Sequence, residues 1–159
     1  MTPLRIIVGL LSAAVASVGF AIMFRVRKKH LFAMGLCGML AYGVYLLTGA
    51  YVPGEFFSNF LAAIFAAVSC ELFAQFLRAP VQIYLIPVLV PLFPGGSLYY
   101  AMDHLLSRNF SGFTDSLLKT LGAALGIAGG VIVGLSFAKT VFLTIRKKKE
   151  KEDGKKGSE

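Results

Sequence analysis

The chain alternates long apolar runs with short polar punctuation. Five runs reach the roughly 20 apolar residues that a helix needs to cross a bilayer: Leu4–Phe24, Leu31–Tyr51, Phe57–Leu77, Pro80–Ala101 and Leu117–Leu143. The pattern predicts an all-α integral membrane protein. Residues 1–145 form one domain of five transmembrane helices, and residues 146–159 form a disordered polybasic tail. The first run extends through Phe24 into Arg25-Val26-Arg27-Lys28-Lys29, too long for a cleavable leader, and reads as a retained span. Its Gly9, Ala13, Ser17 and Ala21 recur every four residues and offer a small-residue face to a neighbour.

The fourth run is the exception. It holds Pro87, Pro91 and Pro94, then Gly95, Gly96 and Ser97. An interior proline removes a backbone donor and clashes with the carbonyl one turn earlier. Freed backbone groups in hydrocarbon cost several kcal/mol each unless satisfied, so irregular backbone is expected where it lines a cavity. The fourth span is therefore expected to break at Pro91-Leu92-Phe93-Pro94-Gly95-Gly96, as the broken helices of transporter sites do. Ser97 then caps a second short helix, whose N-terminal amides suit a carboxylate. Pro94, Gly95, Gly96, Ser97 and Tyr99 become the candidate substrate-binding residues, with an interface-belt role as the alternative for Tyr99.

Two further features sit inside the apolar runs. Glu71, Gln75 and Arg78 are spaced four and three apart and share a helix face. A carboxylate at that depth costs at least ~2.5 kcal/mol. It reads as a coupling or gating group, or as a structural partner of Arg78. Gly122, Gly126, Gly130 and Gly134 form a helix-packing stripe in the last run. Its partner is either another span or a second subunit, a homo-oligomer included.

Composition agrees with the spans: 57% of residues are hydrophobic and only 15% charged. The net charge of +8 invites nucleic acid as a partner, but the positions of the charges argue against it. Arg25, Arg27, Lys28 and Lys29 follow the first span, and Arg146 to Lys156 follow the last. The positive-inside rule makes both clusters cytoplasmic, which puts the N-terminus outside and the C-terminus inside. The tail is also suited to anionic membrane lipid. Met102–Ser116 becomes the outer loop. Cys37 and Cys70 lie within spans, and no Cys/His ligand spacing points to a metal or cofactor. No nucleophile–base pair, HExxH or phosphate loop supports an enzyme.

The run Glu71-Leu72-Phe73-Ala74-Gln75-Phe76-Leu77-Arg78-Ala79-Pro80, then Ile86-Pro87, Pro91-Leu92-Phe93-Pro94-Gly95-Gly96 and Tyr99, resembles the bacterial threonine/serine exporter family. It is similar to the small, membrane-only subunit of the split form. The resemblance runs from about Leu4 to Lys139. It implies a multi-pass protein of the bacterial inner membrane that works with a larger membrane subunit. The cargo it implies is a small carboxylate-bearing metabolite, threonine or serine in some members and dicarboxylates such as succinate in others. The alternative is a non-transporting assembly subunit that docks a partner through its glycine stripe; a channel would need an oligomer.

Overall fold

A computed structural model describes residues 3–52, 54–77 and 79–156. Among the described residues there is no strand. Six α-helices follow one another: α1 (Pro3–Met23), α2 (Leu31–Tyr51), α3 (Glu55–Leu77), α4 (Gln82–Leu89), α5 (Gly95–Leu106) and α6 (Phe110–Lys156). Single 3-10 turns at Lys28–His30 and Val90–Leu92 precede α2 and follow α4. Four helical segments are long and apolar enough to cross a membrane: Leu4–Met23, Lys28–Tyr51, Glu55–Phe76 and Phe110–Phe142. The pair Gln82–Leu92 and Gly95–Leu106, bent by 52°, passes the same test together. The protein is thus an all-helical, multi-pass membrane protein with four to five candidate spans.

Small residues set how the helices pair. α1 and α2 run antiparallel, with Gly9 against the Tyr42 ring, Gly35 against Val18 and Gly38 against Ser17. Ala13, Ser17 and Ala21 are buried along this seam. The α3–α6 seam is closer still. A methyl group on Gly126 would meet the Phe56 carbonyl; on Gly130, the Phe60 carbonyl and Ala63; on Gly134, Ala67 at 2.8 Å and the Ile64 carbonyl. Each step of four residues along α6 matches four along α3, so the two helices run parallel. A methyl group on Gly122 would meet α3 only loosely, at Phe56 N, 3.9 Å away. Within this chain the stripe packs backbone against backbone, at a separation that only glycine allows.

α4 lies in the middle, against α1, α2 and α3. Tyr84, Leu85, Pro87, Val88 and Leu89 are all buried. Pro87 does not end this helix. The helix gives way to a 3-10 turn containing Pro91, and the chain turns at Phe93, whose backbone is extended (φ −62°, ψ 133°). Pro94 comes next and cannot donate a hydrogen bond, so α5 starts afresh at Gly95.

Three expectations are corrected. Ser97 does not cap α5: the helix begins two residues earlier, with Pro94 at the cap position. Met102–Ser116 is not a loop. α5 continues to Leu106 and α6 begins at Phe110, joined by a tight turn through Ser107–Asn109. Arg108 takes φ 55° there, and the Asn109 Oδ1 caps the Gly112 amide at 3.1 Å. Asp103, His104 and Asp115 are polar positions on helices rather than loop residues. α6 also extends past residue 145, with helical backbone to Lys156. Its Lys/Glu-rich sequence has good helix propensity, and no residue interrupts it before Gly154.

Because Gly126 sits at Phe56, Phe110 lies about 24 Å further along the α6 axis, beyond the start of α3. α5 packs on this projecting part of α6. The α2–α3 turn needs one special conformation, at Gly54 with φ 132°, which L side chains rarely adopt.

Candidate functional site

A cavity of about 270 Å³ lies under the bend between α4 and α5. Three elements build it. α2 supplies Tyr42 and Tyr45, whose rings stack with centroids 5.7 Å apart. α3 supplies Glu55 and Asn59, one turn apart and therefore on one face. The bend supplies Pro91 to Pro94, and α5 opens onto the cavity with Gly96 and Ser97.

The polar groups divide by sign. On α3, Asn59 is buried at 2% exposure. Its Nδ2 donates to the Glu55 carbonyl at 2.7 Å, while its Oδ1 has no partner among the described residues. A buried acceptor left unpaired costs roughly 1–3 kcal/mol. The Glu55 carboxylate, at the rim, accepts from the Tyr45 hydroxyl at 3.2 Å. This wall is rich in acceptors. The opposite wall is the N-terminus of α5, where donors dominate. The Gly95 amide bonds the Phe93 carbonyl at 2.8 Å and the Leu98 amide bonds the Pro94 carbonyl at 3.1 Å. The Gly96 and Ser97 amides have no acceptor among the described residues. The partial positive charge of the helix end adds to them. The Ser97 hydroxyl donates to the Pro94 carbonyl at 3.1 Å, with the Thr120 hydroxyl 3.1 Å away.

The two glycines have no reason to be glycine within this chain. Neither has a positive φ. A methyl group on Gly95 or on Gly96 would meet nothing within 4 Å. Glycine at the start of a helix loses conformational entropy that alanine would not. Gly96 lines the cavity, and the space beside its backbone is open.

Pro91, Pro94, Gly96 and Ser97 therefore come together, whereas other expected site residues lie elsewhere. Gly95 is next to the lining but not part of it. Tyr99 is 69% exposed and packs edge-on against Tyr100, away from the cavity. Pro87 is buried inside α4. Glu71 is twelve residues along α3 from Asn59, about 18 Å down the axis. It is 7% exposed; Gln75 Nε2 donates to its Oε1 at 3.1 Å, and its Oε2 has no partner among the described residues. Arg78, the expected partner of Glu71, lies outside the described residues.

The lining residues missed in the sequence are Tyr42, Tyr45, Glu55 and Asn59. Asn59 carried a signal: it is a polar residue three positions inside an apolar run. A second buried polar pair was missed at the other end of α4, where the Tyr84 hydroxyl lies 3.4 Å from His30 Nδ1.

A cavity with free amides on one wall and free acceptors on the other, at a helix break among apolar spans, has the form of a solute site. The family comparison points the same way. The model described as "Threonine/Serine exporter, ThrE" matches residues 9–137. The chain belongs to the threonine/serine exporter family. This is a family of exporters, not of enzymes, and the matched region includes the α3–α6 seam, the bend and every residue lining the cavity. No solved structure matches this exporter chain.

Proposed function

We propose that the chain is a subunit of a secondary exporter that moves small amino acids, threonine or serine, out of a bacterial cell across its inner membrane. The observation that carries this reading is the sign-divided cavity. The free Gly96 and Ser97 amides receive the α-carboxylate. Asn59 Oδ1 accepts from the α-ammonium, with the Glu55 carboxylate and the Tyr42 and Tyr45 ring faces adding attraction. The Ser97 hydroxyl, on the lining, accepts from the substrate hydroxyl. A dicarboxylate such as succinate fits less well, because its second carboxylate would meet an unpaired amide oxygen and a carboxylate.

In this reading the bent pair is a single crossing, giving five spans. The parallel run of α3 and α6 supports it, since a pair that returned to its own side would leave them antiparallel. The N-terminus is then outside and the basic tail cytoplasmic, on anionic lipid. The working exporter in this reading includes a larger membrane subunit.

The test is export from cells making this chain alone, the larger subunit alone, or both, with threonine, serine and succinate measured. Threonine and serine leave only when both chains are present, and succinate leaves at least about tenfold more slowly. Export by the larger subunit alone would remove the cavity from the transport path.

A further inference from the structure

We infer that Glu71 carries the proton that drives export. This rests on the exporter reading above and assigns its coupling group.

Glu71 extends the face of Ala63 and Ala67 by one turn. Ala63 meets Gly130 and Ala67 meets Gly134, so the register brings Glu71 level with Ala138, the next small residue of α6. Ala138 is 3% exposed, so the seam is closed there too. Glu71 is the only acidic residue buried in the interior of a span among the described residues. Its Oε1 accepts from Gln75 and its Oε2 has no partner among the described residues. The one ion pair found among the described residues, Asp115–Lys119, is elsewhere on α6.

An ionised carboxylate would be stranded in this packed state, whereas a protonated one is neutral and turns Oε2 into a donor. When the inner end opens, water reaches Glu71 and the proton leaves to the cytoplasm. Each cycle breaks and re-forms one O–H bond: a proton enters from outside, and one zwitterionic amino acid leaves. No oxidant or other co-reactant is needed. The other ionisable groups at this depth are Cys70, buried on α3 itself, and groups on the elements packed against α3; Arg78 lies outside the described residues. The latter are Cys37 on α2, Lys28, Lys29 and His30 in the 3-10 turn before it, Arg27 just ahead of that turn, Tyr84 on α4 and Lys139 on α6. Lys139 is exposed. His30 is buried, with Nε2 unpartnered, and is the rival proton carrier.

The test uses inside-out membrane vesicles containing the full chain with its larger subunit, and labelled threonine. Two readouts are taken: accumulation driven by an imposed pH gradient, and exchange of threonine at equal pH. Glu71→Gln keeps the neutral shape. It is expected to retain exchange within about twofold of wild type and to lose gradient-driven accumulation by at least about tenfold. Glu71→Asp restores part of the accumulation, and His30→Gln leaves it intact. Accumulation retained in Glu71→Gln overturns the assignment, as does its loss in His30→Gln with Glu71→Gln still coupled. If Glu71→Gln lowers the amount of chain in the membrane and exchange falls in proportion, the carboxylate is structural and the assignment fails. If wild-type vesicles transport no threonine in either assay, the exporter reading itself fails.

Discussion

Gly96→Leu leaves the chain in the membrane at wild-type amounts and reduces threonine export by about a hundredfold. The two halves of this result have separate causes. A methyl group at Gly96 meets nothing within 4 Å and its φ is ordinary, so the fold accepts a side chain. Leucine is the better helix former by up to about 1 kcal/mol, so the folded state gains slightly. The leucine side chain then fills the space through which a carboxylate reaches the Gly96 and Ser97 amides. The check is export rate together with the amount of membrane-inserted protein. Normal export in this variant would take the start of α5 out of the site.

Gly130→Leu gives the opposite pattern, losing protein and transport together. Its first side-chain carbon would meet the Phe60 carbonyl, the Ala63 methyl at 2.8 Å and the Ile64 amide at 3.2 Å. Two of these are backbone and have no rotamer to change. Overpacking of this kind costs roughly 1–3 kcal/mol even where side chains can move, and more against backbone. The α3–α6 seam separates, and Asn59 and Glu55 on α3 lose their position at the cavity. The check is the melting temperature of the detergent-solubilised chain beside that of Gly122→Leu. A side-chain carbon on Gly122 would meet only the Phe56 amide nitrogen, at 3.9 Å, so this position tolerates the change far better. Equal losses at both positions would mean that the stripe packs against something other than α3.

The contrast between these glycines marks how far the sequence could be read. All-helical character and the apolar spans were legible, because runs of about 20 apolar residues have few other fates. The four-residue period of the stripe identified a face of α6 but not its neighbour, since α3 and α6 are separated in the chain by the whole bent pair. Near Asp103, His104 and Asp115, polarity read as a loop. The structure has helices there because one tight turn is enough: Arg108 takes the left-handed conformation and Asn109 caps the start of α6. Asn59 was hidden for a related reason. One polar residue near the end of an apolar run looks like a span boundary until the opposite wall is known, and that wall comes from Pro94 to Ser97, more than thirty residues later.

The most direct test of the account asks whether an amino acid occupies the cavity. Ser97→Cys places a thiol on its lining, while both native cysteines, Cys37 and Cys70, are buried. The reaction of this thiol with a maleimide is followed in membranes holding the full chain with its larger subunit. Leu106→Cys, at a position 80% exposed outside the cavity, is the control. Occupancy slows labelling by 1 + [L]/Kd, so threonine at ten times its Kd should slow Ser97→Cys about tenfold and leave Leu106→Cys unchanged. Succinate at the same concentration should have little effect. A Ser97→Cys labelling rate that threonine does not change, in membranes that still export threonine, would contradict the account and place the substrate elsewhere.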